Sequence, residues 1–249
     1  PLHAFDADAL GGKIVVQTAK DGDLFTTLDG VERELAATNL MITNGADHLC
    51  IAGVLGGSDS GVSDSTKDIF IESAYFNPVS IRKTAKMHGL NTDASFRFER
   101  GIDPNLTEIA LKRAALLIQE IAGGSVAMDI VDTNSKPIEN KTVEFNIDRC
   151  NRLIGTNVPK EMMLDIFQNL DIKVLSEKNN DLLLEIPAYR VDVTREADVV
   201  EEILRIYGFN NVPMPSKLNT SIAQFAKPDV EKVQTVISEM LVGLGCFEI

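Results

Sequence analysis

Five carboxylates crowd the stretch PAYRVDVTREADVVEEILRIYGFNNVP, residues 187–213, and four of them are spaced to act together. Asp198, Glu201 and Glu202 stand at i, i+3 and i+4, which puts them on one side of a single helical turn, with Asp192 just ahead of it. The pattern admits two readings. It suits a solvated, acidic helix start favoured by the helix dipole, and it suits oxygen ligands gathered for a hard cation such as Mg²⁺, which keeps several waters of its own. Another carboxylate, Glu72, occurs in the alternating run DIFIESA (68–74), on the same strand face as Phe70 and Ala74. If that face packs inward, Glu72 is a buried acceptor in need of a partner; if the strand is an edge, Glu72 is solvated. The three histidines, His3, His48 and His88, fall into no Ser/His/Asp or Cys/His set suited to a covalent intermediate.

A third cluster is basic. Arg82, Lys83, Lys86, Arg97, Arg100, Lys112 and Arg113 are seven of the chain's 24 Lys and Arg residues, set against only Asp93, Glu99, Asp103 and Glu108 in the same span. Such runs are usually solvated faces. In their middle lies LNTDASFRFERGIDP (90–104), which reads as a connection between two helices, with Arg97, Glu99 and Arg100 pairing locally.

The elements that position these residues follow from pattern. IVVQTA (14–19), LFTTLDG (24–30), NLMITNG (39–45), LCIAGV (49–54) and DIFIESA read as strands closed by turn residues. Asn77-Pro78 starts a short basic helix over 78–88, and Asp103-Pro104 starts another whose face is marked by Leu106, Ile109, Ala110, Leu117 and Ile121 before Gly123-Gly124 stops it. After the polar stretch DTNSKPIENK (132–141) the order becomes strand (143–147), helix (159–169), two strands (171–175, 182–186) and helix (195–207), which suggests a winged-helix-like module. The expected class is α+β: a strand-rich mixed α/β domain over 1–132, a small winged-helix-like α+β domain over 139–214, and a third segment over 215–249 with a helix at 229–242. That segment stops at CFEI, which reads as mid-strand, so the chain is expected to continue.

Composition sets limits. With 37 Asp and Glu against 24 Lys and Arg, the formal charge of −13 argues against a general grip on nucleic acid, though not against a local basic patch. No apolar run approaches the roughly 20 residues of a membrane span and no leader is evident, so a cytoplasmic protein without a membrane partner is expected. Cys50, Cys150 and Cys246 lie far apart in apolar surroundings and read as reduced core thiols.

HAFDADAL (3–10), AGVLGGSDS (52–60), FIESAYF (70–76), LNTDASFRFERGIDP and the 187–213 stretch, in that order, resemble the β subunit of bacterial phenylalanyl-tRNA synthetase. The resemblance covers essentially the whole chain. It implies a tRNA-editing domain, which hydrolyses tyrosine misattached to phenylalanine tRNA, then a winged-helix-like domain and the start of a catalytic-like domain, within an α2β2 enzyme. Aminoacylation, and the ATP it consumes, would belong to the α subunit. In the editing pocket the resemblance places Gly56, Thr92 and Ala94 around the substrate, Glu72 at the tyrosine hydroxyl, and His3 where it helps to position water or the terminal adenosine. It associates Asp192, Asp198, Glu201 and Glu202 with a magnesium ion shared with the α subunit. Editing has a physical rationale, since an apolar pocket rejects an isostere with one added hydroxyl by only about a hundredfold. The alternative is a non-enzymatic portion that assembles subunits or binds tRNA, with editing lost.

Overall fold

The computed structural model describes residues 1–133, 138–214, 216–217 and 229–247. The first part runs β1 (Leu2–Asp6), β2 (Val15–Thr18), β3 (Leu24–Thr26), β4 (Glu32–Glu34), β5 (Leu40–Thr43), β6 (His48–Ile51), β7 (Leu55–Gly56) and β8 (Ile69–Ser73). Three helices follow: α1 (Pro78–Met87), α2 (Asp93–Phe98) and α3 (Thr107–Ala122). Strands β2, β5, β6 and β7 form one antiparallel sheet in that order, while β1 pairs with β8 and β3 with β4. All five expected strand runs contain a strand, each shorter than its run. β1, β4 and β7 are additions.

The core gathers Phe5 from β1, Met41 and Ile42 from β5, Leu49, Cys50 and Ile51 from β6, Ile81 and Ala85 from α1, and Phe98 from α2. Asn77 caps α1 by accepting from the Val79 and Ser80 amides, with Pro78 at the first helical position. The stretch expected as a plain connection contains a helix. Thr92 accepts from the Ser95 amide at 3.0 Å while Ser95 accepts from the Thr92 amide at 2.9 Å, a reciprocal capping box that starts α2. The turn between β6 and β7 lies under both helices: Gly53 has φ +67°, and a Cβ there would fall 2.8 Å from the Phe76 ring and 2.9 Å from Ile81. Helix α3 forms where expected, but Leu106, Ile109 and Ile121 on its marked face stay exposed.

The second part runs β9 (Lys141–Asn146), α4 (Ile147–Ile154), α5 (Lys160–Asn169), β10 (Lys173–Lys178), β11 (Asp181–Ile186) and α6 (Glu196–Tyr207). Its antiparallel sheet has the order β10-β11-β9 and packs Phe145, Leu184 and Ile186 against Met163, Phe167, Val199 and Ile203. Helix α4 was not expected. It begins directly at the end of β9, where the Asn146 side chain accepts from the Arg149 amide, and ends at Gly155 in the left-handed region. Both parts lie in one compact unit, Pro1–Asn211; Val212–Ile249 form another.

In that second unit α7 (Val230–Gly243) matches the expected helix. Cys50 and Cys150 are buried, but Cys246 is exposed, so only two of the three expected core thiols are core residues. Cys246 and Phe247 are not in a strand, and the last two residues of CFEI lie outside the described residues.

Replacing Gly53 with Ala combines an unfavourable φ with overlap against two core side chains. We expect Gly53→Ala to lower the unfolding free energy by about 2–4 kcal/mol in urea denaturation. An unchanged midpoint would show that the β6–β7 turn is not pinned beneath the helices.

Candidate functional site

Pairing of β1 with β8 sets His3 directly opposite Glu72, so the two side chains leave the same face of the ribbon. The His3 ring meets Phe5 edge-on, with centroids 4.4 Å apart. It also lies over β7: a Cβ at Gly56 would fall 2.7 Å from His3 Cε1 and 3.0 Å from Leu28 Cδ1. Gly56 is thus small to admit the imidazole and Leu28, and the space above it, expected to receive substrate, is occupied by His3. Two polar atoms are left over. His3 Nε2 and Glu72 Oε2 are both buried with no hydrogen-bond partner among the described residues. Burial lowers the His3 pKa below its ordinary value, so the ring is neutral at neutral pH. Burial pushes the Glu72 carboxyl up to about 7, against a smaller opposing pull from the α-amino group.

Thr92 and Ala94 sit at the start of α2. The Thr92 hydroxyl donates to the Val54 carbonyl at 2.7 Å, two residues before Gly56, which fastens the helix start to the β6–β7 turn. Its proton is therefore committed to the backbone of the turn. Ala94 is partly buried against the core. Cys50 pairs in register with Gly56. Burial raises its thiol pKa strongly, with the Glu72 charge adding to the effect, which makes it unsuitable as a nucleophile. Sequence reasoning also passed over a cleft of about 320 Å³, lined by Asp47, His48, Ser58 and Asp59 among others, where His48 Nε2 lies 2.9 Å from Asp23. No sequence spacing links Asp23 to His48; only the fold brings them together.

Of the four candidate carboxylates in the 187–213 stretch, Asp198 and Glu202 are separately engaged. Asp198 accepts from the Thr194 and Arg195 amides at 2.9 and 2.8 Å and from the Arg195 guanidinium at 2.9 Å, closing the first turn of α6. The Arg195 side chain is the main cause that holds its carboxyl well below the usual range. Glu202 Oε2 is shared by Arg190 at 3.0 Å and Arg205 at 2.6 Å. Asp192 and Glu201 are exposed. Among the described residues no three acidic, histidine or cysteine side chains form a group able to hold a metal ion. The four therefore do not fit magnesium in this arrangement, and the helix-start reading accounts for Asp198.

Comparison with known proteins bears on both regions. Residues 1–123 match the B3/4 domain and residues 143–209 the tRNA synthetase B5 domain. The phenylalanine–tRNA ligase β subunit of Bacteroides fragilis (strain YCH46) is 49 % identical over 251 residues, covering 100 % of this chain and 31 % of the relative. The chain belongs to the phenylalanine–tRNA ligase β-subunit family. The β subunit of Porphyromonas gingivalis (strain W83) is also 49 % identical, covering 100 % of this chain and 31 % of the relative. That of Geobacter metallireducens is 47 % identical, with 86 % and 27 % covered. The chain thus spans about a third of the length of the β-subunit family members it matches. An N-terminal fragment of the phenylalanyl-tRNA synthetase β-subunit from Pyrococcus horikoshii overlays with a TM-score of 0.44 at 15 % identity, over 83 % of this chain and 59 % of that one.

A carboxyl held protonated by burial stabilises the fold below its unfolded pKa, and this contribution is lost as pH rises through the folded value. For Glu72 the window runs from 4.5 to about 7. In Glu72→Gln, which does not titrate, stability relative to the wild type should rise across this window by up to about 3 kcal/mol, read from urea midpoints at several pH values. A pH-independent difference would mean that Glu72 is solvated. For the acidic helix, millimolar magnesium should leave the melting temperature of the chain unchanged; a concentration-dependent rise would show that the carboxylates do gather a cation.

Proposed function

We propose that the site around His3 and Glu72 is a tyrosine-selective editing pocket, in which the ester of tyrosyl-tRNA is hydrolysed after its side chain is recognised. The observation that carries this reading is the pair of buried, unpartnered atoms, His3 Nε2 and Glu72 Oε2, on side chains that face each other in register. Buried polar groups nearly always find partners, and a pair of facing orphans is open to a ligand group. A phenol hydroxyl supplies both roles: it donates to Glu72 and accepts from the imidazole N–H. Phenylalanine supplies neither and leaves both atoms unpaired, which is how a second sieve gains selectivity.

In this reading His3, opposite Glu72 in the register, lies at the phenol end rather than at the ester. Its role is then recognition, and the reacting carbonyl lies at the opposite end of a rigid aromatic side chain. Cys50 is buried and hydrogen-bonded to backbone carbonyls, so the chemistry is direct attack of water on an activated ester. Ala94, small and partly buried near the turn fastened by Thr92, leaves room for the ring. In this reading the chain comprises an editing domain and a winged-helix-like domain, and works in the cytoplasm within an α2β2 phenylalanyl-tRNA synthetase that acts on phenylalanine tRNA. A magnesium ion shared with the α subunit would need Arg190, Arg195 and Arg205 to give up their carboxylates, and no step is assigned to it. The alternative, a portion used only for assembly, is favoured by the exposed Ile109, Leu116 and Ile121 on α3.

The deciding experiment is single-turnover deacylation of tyrosyl- and phenylalanyl-tRNA by the complete enzyme. Glu72→Ala removes a charge-assisted hydrogen bond worth about 1.5–3 kcal/mol, so tyrosyl-tRNA hydrolysis should fall tenfold or more while discrimination against phenylalanyl-tRNA narrows. Equal loss on both substrates would sink the recognition role, and no loss would return the site to the assembly reading.

A further inference from the structure

The outer side of α2 carries groups that the pocket does not use. Thr92 caps α2, Phe96 lies one turn on, and Arg100, in the turn just past the end of the helix, folds back onto Phe96. Phe96 is 47 % exposed, and Arg100 Cζ lies 3.6 Å from its ring centroid. The guanidinium is held there by the Phe96 carbonyl and by Glu99, both at 2.8 Å. An exposed aromatic ring with a flat cation on it presents planar surfaces on which bases stack.

Helix α1 packs beside α2. Its sequence, PVSIRKTAKM, contains no acidic residue, and Arg82, Lys83 and Lys86 are exposed. These three make no ion pair among the described residues, whereas Arg97 faces Asp93 at 3.8 Å and Lys112 is paired with Glu108. The charge of α1 is therefore free, and it stands out on a chain whose net charge is −13. Free cations next to an exposed stacking surface are complementary to a polyanion with unstacked bases.

We propose that α1 and the outer side of α2 form a docking surface for a single-stranded RNA end. Phe96 and Arg100 stack a base, and Arg82, Lys83 and Lys86 take backbone phosphates. The proposal rests on the reading of the neighbouring pocket as a tRNA-editing site. It adds the track by which the charged end approaches, passing along α2 to Thr92 at its start.

The test uses the full-length subunit assembled with its partner subunit, and a short fluorescent single-stranded RNA carrying a tRNA 3′-terminal sequence. Phe96→Ala should weaken its binding about tenfold and Phe96→Trp should restore it, since stacking tolerates any aromatic. The combined variant Arg82→Glu, Lys83→Glu, Lys86→Glu should reduce the slope of log affinity against log salt by about 2, the loss of three phosphate contacts to a single strand. Wild-type binding and slope in these variants would overturn the proposal. So would normal RNA binding with impaired subunit assembly in size-exclusion chromatography, which would make the surface a protein interface. Glu72→Ala separates the two claims: RNA binding lost in Phe96→Ala with tyrosyl-tRNA hydrolysis intact in Glu72→Ala keeps the surface and rejects the pocket. The opposite pattern keeps the pocket and rejects the surface.

Discussion

The pocket proposed for this chain depends on the register between β1 and β8. In an antiparallel pair a slip of one residue sends every side chain to the other face, and His3 would no longer stand opposite Glu72. Two strands alone are marginal in water, so the register has to be held from outside the ribbon. Phe5, fully buried, anchors one face in the core and bridges to Gly61. The Asp6 amide donates to the Ser60 carbonyl at 3.1 Å and the Ala7 amide to Asp68 at 3.0 Å, fixing the end of β1 to the loop that leads into β8. At the other end Ser73 donates to the Thr107 carbonyl at 2.7 Å, tying β8 to the start of α3. The site is thus set by contacts that lie on both sides of it along the strands.

Much of the first sheet was legible because its strands alternate and end in turn residues, as NLMITNG does. The strand that carries His3 was not: LHAFD holds one buried residue, and its pairing with a strand some seventy residues later leaves no local trace. Glu72 shows the same limit from the other side. A period of two says which residues share a face, and it cannot say whether that face is covered. The helix α2 was legible in principle, since Thr92 and Ser95 stand at capping-box spacing, but six residues give too little periodicity to compete with the loop-like composition around them. For α6 the one-sided spacing of Asp198, Glu201 and Glu202 was legible and admitted two readings, while the engagement of Asp198 and Glu202 by Arg190, Arg195 and Arg205, interleaved in the same stretch, was not. Carboxylate spacing predicts a cage only where no nearer cation has claimed the oxygens.

The two acidic centres accordingly have opposite electrostatics. At the start of α6 the Arg195 guanidinium and the Thr194 and Arg195 amides draw the Asp198 carboxyl down, and Arg190 and Arg205 share Glu202, which is a structural arrangement. Around Glu72 no side-chain cation offsets burial, and the carboxyl is pushed up to about 7. The first arrangement is closed; the second retains binding capacity, and strongly perturbed groups of that kind gather at functional sites.

In the editing reading proposed above, the raised value also bears on how the pocket would discriminate. Near neutrality an empty pocket holds Glu72 partly protonated, which relieves the cost of burying a charge. A hydroxyl that donates to Oε2 favours the ionised form, so entry of a tyrosyl group and departure of the Glu72 proton are linked, and each promotes the other. A phenylalanyl group has nothing to donate. It leaves the carboxyl protonated, with an O–H that finds no acceptor, beside a neutral His3 whose Nε2 is equally unpaired. The same desolvation that destabilises the empty, ionised site therefore widens the gap between the two substrates. Selectivity in such a site comes from burial as much as from the hydrogen bond itself.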